Sequence, residues 1–286
     1  MKVRLSSDAR PQATTLLIAA VISIILWFIP FAEILTYPFR LFVTFIHEGG
    51  HAIAALLTGN SVGSLSVALN ASGETYTTKG GLFSQVLVSS AGYLGSMAYG
   101  SLLLVLIRKA VAARVVLIGS AAIVFALTII YGLLSPIFSW GALSGIPFTV
   151  FAGTFLTVGL VAVARYAKPR VATFFVSFLA VQCVLNALLD LKTVFFLSSP
   201  FAPSAPTDAV NMAAATGIPA VVWASLWIIT ALGILALAMR IYVVTRQSAL
   251  NSDFSFPELS DPYSTSNPIL MGSVDAERNS TAFNAH

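Results

Sequence analysis

The segment FVTFIHEGGHAIAALLTG, residues 42–59, decides how this sequence is interpreted. It is apolar enough to lie in a membrane, yet it contains His47, Glu48 and His51. Ionisable side chains at membrane depth are costly and mark functional sites. Because His47 and His51 are four residues apart, a helix places both imidazoles on one face, where they can bind one metal ion.

The composition of the whole chain excludes a soluble globular protein. Of its 286 residues, 57% are hydrophobic and only 9% are charged, whereas soluble domains have about 25% charged residues. The mean hydropathy is +0.90. The net charge of +4 lies in short basic clusters between apolar runs, a pattern typical of cytoplasmic loops of membrane proteins. We therefore expect an integral, multi-pass protein of a lipid bilayer, and no nucleic-acid partner.

Apolar runs define the predicted architecture. Seven of them are present, at roughly 14–33, 35–58, 82–107, 113–134, 138–164, 171–195 and 218–243. They predict an all-α polytopic membrane protein with six or seven transmembrane or re-entrant helices, since a span needs about 20 apolar residues. Residues 1–246 form the predicted membrane domain, and the polar residues 247–286 a disordered C-terminal tail.

The positions of Lys and Arg predict the orientation of the chain. The basic N-terminus and the later basic joints all favour the cytosolic side. Three apolar runs precede Arg108, and this odd number would place the N-terminus and Arg108 on opposite sides. We therefore expect both termini in the cytosol and one early segment that does not cross fully, with the HEGGH region as the first candidate.

A small β-hairpin is predicted directly after the HEGGH helix. Within residues 60–80, Leu65, Val67 and Leu69 alternate with small residues, and the NASG turn is followed by ETYTT. Alternation around a turn is typical of a hairpin, although a surface loop is the alternative. The edge of such a hairpin could pair with an extended substrate, whose backbone needs hydrogen-bond partners where water is scarce.

The HEGGH motif predicts zinc-dependent hydrolysis. Zinc held by two imidazoles lowers the pKa of a coordinated water to about 7, and Glu48 can accept a proton from that water. Gly49 and Gly50 leave room for a neighbouring helix or for a substrate backbone. The alternative is a pair of buried, hydrogen-bonded histidines in a transporter or a packing core.

A catalytic zinc site needs a third protein ligand beside an open position. Four carboxylates lie near apolar segments: Glu33, Glu74, Asp190 and Asp208. Asp190 lies deep in an apolar run, one helical turn after Asn186, and is the predicted third ligand. Asp208 begins a predicted short helix, where capping is its expected role. In the alternative, Asp190 neutralises Lys192, and Asp208 closes the site from the loop.

Five stretches together resemble a known family. They are HEGGH in an early span, the hairpin, AGYLGS at 91–96, NALLDLKTVF at 186–195 and TDAVNMAAATGIPAVVWASLW at 207–227. They resemble the intramembrane zinc metallopeptidases of the site-2 protease class, especially the B-type branch, over roughly residues 35–240. Typical site-2 proteases place the ligand aspartate in an LDG motif, whereas this chain has LLDLK.

The resemblance implies a role for each candidate residue. His47, His51 and Asp190 would hold zinc, Glu48 would be the catalytic base, and Asn186 would bind substrate or the developing oxyanion. The implied activity is that of a zinc metalloendopeptidase acting on a membrane protein or peptide. The competing class is a non-enzymatic transporter or scaffold with a metal site, which would not need Glu48.

Overall fold

The computed structural model describes residues 10–26, 28–109, 111–139, 143–199 and 206–244. The predicted tail at 247–286 and the basic residues before Arg10 lie outside the described residues, so the tail and the sidedness of the termini remain predictions.

Helices make up most of the described chain. In order, the elements are α1 (Arg10–Leu26), α2 (Glu33–Leu57), β1 (Val62–Val67), β2 (Gly73–Thr77), α3 (Leu82–Arg108), α4 (Ala113–Leu127), a π-helical turn (Thr128–Leu134), α5 (Ser135–Ser139), a 3₁₀ turn (Leu143–Gly145), α6 (Ile146–Tyr166), α7 (Pro169–Leu197), α8 (Asp208–Thr216) and α9 (Ala220–Val244). The predicted all-α polytopic fold with a small hairpin is confirmed.

Five helical segments of the described chain are long and apolar enough to cross a membrane. They are Leu82–Arg108, Ala113–Phe138, Leu143–Tyr166, Pro169–Leu197 and Ala220–Tyr242. The apolar part of α1, Ala13–Leu26, is shorter, and α2, which contains HEGGH, is not among the five. The break between the fourth and fifth apolar runs falls later than predicted, because α4 continues through the π-helical turn into α5.

Helix α3 is at the centre of the bundle and packs against α2, α7, α8 and α9. Small residues allow these close approaches. A Cβ at Gly50 of α2 would lie 3.0 Å from the backbone carbon of Ala91 in α3, and one at Gly100 would lie 2.9 Å from Cβ of Cys183 in α7. A Cβ at Gly49 would meet Leu127 of α4 at 2.6 Å. The glycines of HEGGH therefore face neighbouring helices.

The hairpin is antiparallel and pairs Leu65 with Thr75 and Val67 with Gly73. The outer edge of β1 is covered by α6, because the backbone N–H of Val67 donates to the hydroxyl of Thr149 at 2.9 Å. Within the described residues no strand pairs with the outer edge of β2. One edge of the hairpin is therefore closed and the other is open.

Helix α2 holds the hairpin by side chains spaced along its length. The hydroxyl of Tyr37 donates to the carbonyl of Leu69 at 2.6 Å, and that of Thr44 donates to the carbonyl of Ala71 at 2.7 Å. These contacts fix β2 beside the HEGGH segment.

Candidate metal centre

Two elements bring a carboxylate and two imidazoles together. Nε2 of His47 and Nε2 of His51 are 3.1 Å apart. Oδ2 of Asp208, at the start of α8, lies 3.9 Å from the first and 3.6 Å from the second. Within the part of the chain that the structure describes, His47, His51 and Asp208 form the group of side chains that could hold a metal ion.

The spacing of these three atoms fits zinc. Ligand atoms about 2.0–2.1 Å from one tetrahedral zinc ion lie roughly 3.3–3.4 Å from each other. The observed separations of 3.1, 3.6 and 3.9 Å bracket that value. Two imidazoles and one carboxylate are also the type of donor set that catalytic zinc takes, with a fourth position left open.

The tautomer of His51 is fixed by its second ring nitrogen. Nδ1 of His51 lies 2.6 Å from the carbonyl oxygen of Val88 in α3. A carbonyl can only accept, so Nδ1 carries the proton and Nε2 keeps a lone pair for a metal. Histidines that bind metals are commonly oriented in this way.

Asp208 is free to face the histidines because another residue caps its helix. The side chain of Thr207 accepts from the backbone N–H of Val210 at 3.3 Å, so the capping role expected for Asp208 belongs to Thr207. The predicted short helix is present and ends before Gly217, which adopts φ 72°, a left-handed conformation that favours glycine. Ala209 is buried against the bundle, which fixes the position of the helix start.

Burial raises the pKa of the Asp208 carboxyl above its ordinary value. Burying an anionic group costs free energy unless a cation or hydrogen bonds compensate. The nearby His51 imidazole and Tyr93 hydroxyl lower this pKa and so offset part of the effect of burial. A metal ion between Asp208 and the imidazoles would supply the positive charge.

Tyr93 of α3 supports the site from the side. Its ring meets the ring of His47 edge to face, with centroids 4.6 Å apart, and stacks on Trp227 of α9 at 5.4 Å. The indole N–H of Trp227 donates to the hydroxyl of Ser90 at 2.8 Å. The imidazole of His47 is thus backed by an aromatic pair that α3 and α9 hold in place.

Glu48 is 4% exposed and adjoins the metal-binding group along the chain. Its Oε2 accepts a hydrogen bond from the Thr75 hydroxyl of β2 at 2.7 Å, and the same hydroxyl lies 3.2 Å from the Glu48 carbonyl oxygen. Oε1 is left for other partners.

Every sequence-predicted site residue lines one cavity of about 1260 Å³. The set is His47, Glu48, His51, Asn186 and Asp190, and Asp208 lines the same cavity. Asp190 lies outside the group of three ligand atoms, and its side chain is exposed in the cavity. No ion pair within 4 Å joins Asp190 to Lys192 in the described chain, and Arg40 of α2 supplies the positive charge that acts on it.

Asn186 presents an acceptor to the cavity. Its amide nitrogen donates to the carbonyl oxygen of Gln182 at 2.8 Å and to the side-chain oxygen of Gln182 at 3.2 Å. Both amide protons are therefore engaged, and the remaining group is the amide oxygen. In this arrangement Asn186 can accept a substrate N–H, whereas stabilising an oxyanion would require a donor.

Three residues of the site were not assigned by sequence reasoning. Thr75 lies in the predicted hairpin, where its position on the Glu48 side of β2 depends on the register. Tyr93 and Gly92 lie in the AGYLGS stretch, which contributed to the family resemblance without a role for either residue. Gly92 packs against the two imidazoles, since a Cβ there would overlap Nε2 of both His47 and His51.

Fold and site together define a polytopic membrane protein in which two histidines and one carboxylate form a group that could hold a metal ion. Comparison with known families agrees: a family model described as Peptidase M50B-like matches residues 16–238. The chain belongs to the Peptidase M50B-like family, so the predicted membership of the site-2 protease class is confirmed. Comparisons with curated proteins and with solved structures found no match.

Proposed function

We propose that this protein is a zinc-dependent intramembrane peptidase that hydrolyses peptide bonds of membrane-associated substrates. The observation that carries the proposal is the convergence of His47 Nε2, His51 Nε2 and Asp208 Oδ2 beside Glu48. These groups line a cavity of a multi-pass membrane protein, and the chain belongs to a family of peptidases.

His47, His51 and Asp208 are the proposed zinc ligands. Bound zinc supplies Lewis-acid activation of water and of the substrate carbonyl. Asp208 replaces Asp190 in this proposal, because the carboxylate of Asp208 is the one within 3.9 Å of both imidazoles. Asp190 and Asn186 remain residues of the cavity wall, where both present acceptors to a substrate.

Glu48 is the proposed general base. Since Oε2 accepts from Thr75, Oε1 is the oxygen that takes the proton of the attacking water. The same carboxyl then donates that proton to the leaving amine, so one side chain acts first as a general base and then as a general acid.

The proposed substrate segment is extended and pairs with β2. A helical segment hides its peptide bonds, whereas an added strand exposes them and satisfies its backbone hydrogen bonds. The outer edge of β2 runs along the cavity and is open, while Thr149 closes the outer edge of β1. The hairpin can therefore accept a strand on the side that also carries Thr75 and its contact with Glu48.

A proline at position 77 should weaken substrate binding. The N–H of Thr78 donates across the hairpin to Ser61, and successive residues of a strand alternate in direction, so the N–H of Thr77 points to the open edge. We expect Thr77→Pro to lower kcat/KM by about 2–10-fold, the range for one hydrogen bond, with zinc content unchanged. Thr77→Ala keeps the N–H and is the matched control; equal rates for the two variants would argue against strand pairing.

The proposed function is tested by Glu48→Gln. The change keeps the size of the side chain and removes its ability to accept a proton. In purified, bilayer-reconstituted protein we expect zinc to stay near one ion per chain. Hydrolysis of a transmembrane peptide should fall by about 10³-fold, within the span of about 10²–10⁴-fold that one acid–base group contributes.

A chelator provides the second arm of that test. Removing zinc from the wild-type protein should abolish hydrolysis, and added zinc should restore it. A Glu48→Gln protein that matches wild type in every assay would favour the alternative of a non-enzymatic transporter or scaffold with a metal site.

A further inference from the structure

The strand that lines the cavity also holds the proposed base. Thr75 makes the only side-chain hydrogen bond to the Glu48 carboxylate within the described residues, at 2.7 Å. Its hydroxyl simultaneously lies 3.2 Å from the Glu48 carbonyl oxygen. One β2 side chain thus meets both the carboxylate and the backbone of the same helical residue.

Backbone packing ties β2 to Glu48 a second time. A Cβ at Gly73 would lie 2.5 Å from Oε1 and 2.6 Å from Cγ of Glu48, and 2.7 Å from Cγ2 of Thr44. Only glycine permits β2 to approach the carboxylate so closely. The Glu48 side chain is therefore enclosed between Gly73 and Thr75, and a displacement of β2 would displace the carboxylate.

The outer edge of β2 is where the substrate is proposed to pair. Thr75 is two residues before Thr77, so its backbone N–H and C=O also point to the open edge. The backbone of Thr75 thus faces the substrate while its side chain holds the base. An added strand would fix the position of β2, and with it the orientation of Glu48.

We propose that Thr75 is a positioning residue that couples the pairing of an extended substrate with β2 to the orientation of the Glu48 carboxylate. This inference rests on the proposed function. A substrate strand paired along β2 would hold that strand, and through Thr75 the Glu48 carboxylate, in the position that the structure shows. Thr75 acts through Glu48 and takes no proton itself.

The test compares Thr75→Ala with Thr75→Ser. Both variants lose the methyl group, and only serine keeps the hydroxyl. We expect Thr75→Ala to lower kcat by about 10–100-fold, as for outer partners of catalytic groups, with KM within about 2-fold and zinc content unchanged. Thr75→Ser should recover kcat to within about 3-fold of wild type.

A second readout tests the coupling. Wild-type kcat should rise when the peptide is lengthened enough to pair with all five residues of β2, and Thr75→Ala should remove that rise. Thr157→Ala is the control, because the half-buried Thr157 donates its hydroxyl within α6, to the carbonyl of Gly153 at 2.7 Å, and is not among the described residues that line the cavity.

The outcomes separate this inference from the function on which it rests. If wild-type protein shows no hydrolysis that depends on Glu48, the proposed function fails. If Glu48-dependent hydrolysis is present but Thr75→Ala and Thr75→Ser have equal kcat, the positioning role is overturned. A rise with peptide length that persists in Thr75→Ala overturns the coupling.

Discussion

Replacing Asp208 by alanine is expected to remove zinc from the protein and to reduce hydrolysis to background. The change leaves His47 and His51 as the only two ligands, whereas a catalytic zinc site takes three. Loss of α8 would not explain the result, because Thr207 caps that helix and Ala209 and Met212 remain buried. Elemental analysis of purified protein, beside a thermal unfolding curve, measures both effects.

Asp190→Ala is the matched comparison. Asp190 lines the same cavity but lies outside the group of ligand atoms. We expect this variant to keep near-stoichiometric zinc and to lose activity only through altered substrate contacts, with kcat/KM lowered by about 10-fold or less. Retained zinc in Asp208→Ala together with lost zinc in Asp190→Ala would return the third ligand to Asp190.

Replacing Gly92 by alanine is expected to disrupt the metal centre without unfolding the bundle. The new methyl group would overlap Nε2 of both His47 and His51, the two atoms proposed to bind zinc. These atoms are the far ends of side chains, so the imidazoles can rotate away while the helices stay packed. We expect zinc affinity to fall by about 100-fold or more, at or above the upper end for loss of a supporting contact.

Gly95→Ala supplies the control on the same helix. A Cβ at Gly95 would meet Cα of Gly50 at 3.6 Å, an ordinary van der Waals distance. We expect zinc content and hydrolysis close to wild type in this variant. If Gly92→Ala binds zinc as tightly as the wild type does, the Nε2 atoms of His47 and His51 beside Gly92 are not both zinc ligands.

Local features of the site could be predicted because they depend on nearest neighbours along the chain. The four-residue spacing of His47 and His51 places both on one helix face in any α-helix. The hairpin follows from alternation around a turn, and its existence did not depend on other elements. Helix existence in long apolar runs is equally local, so the polytopic fold was predictable.

The carboxylate that lies beside the two imidazoles could not be identified from the sequence. Depth within an apolar run favoured Asp190, since an ionisable group there needs a function. The structure instead folds a short helix after α7 onto α3, so that Asp208 reaches the two histidines. That placement depends on the packing of Ala209 and Met212 between distant helices, which no local pattern encodes.

The supporting residues were hidden for a similar reason. Thr75 contacts Glu48 only because Tyr37 and Thr44 hold the hairpin along α2. Gly92 is one of several small residues in α3, and its special position depends on which face of α3 meets the imidazoles.

The late position of helix α8 in the chain also has a consequence for the synthesis of the protein. Membrane proteins emerge from the ribosome from the N-terminus, so the HEGGH segment enters the bilayer while the segment containing Asp208 has not yet been synthesised. With Asp208 as the third ligand, a nascent chain holds a base and two imidazoles but no complete metal site. Under the proposed function, hydrolysis therefore begins only after α8 has docked onto α3.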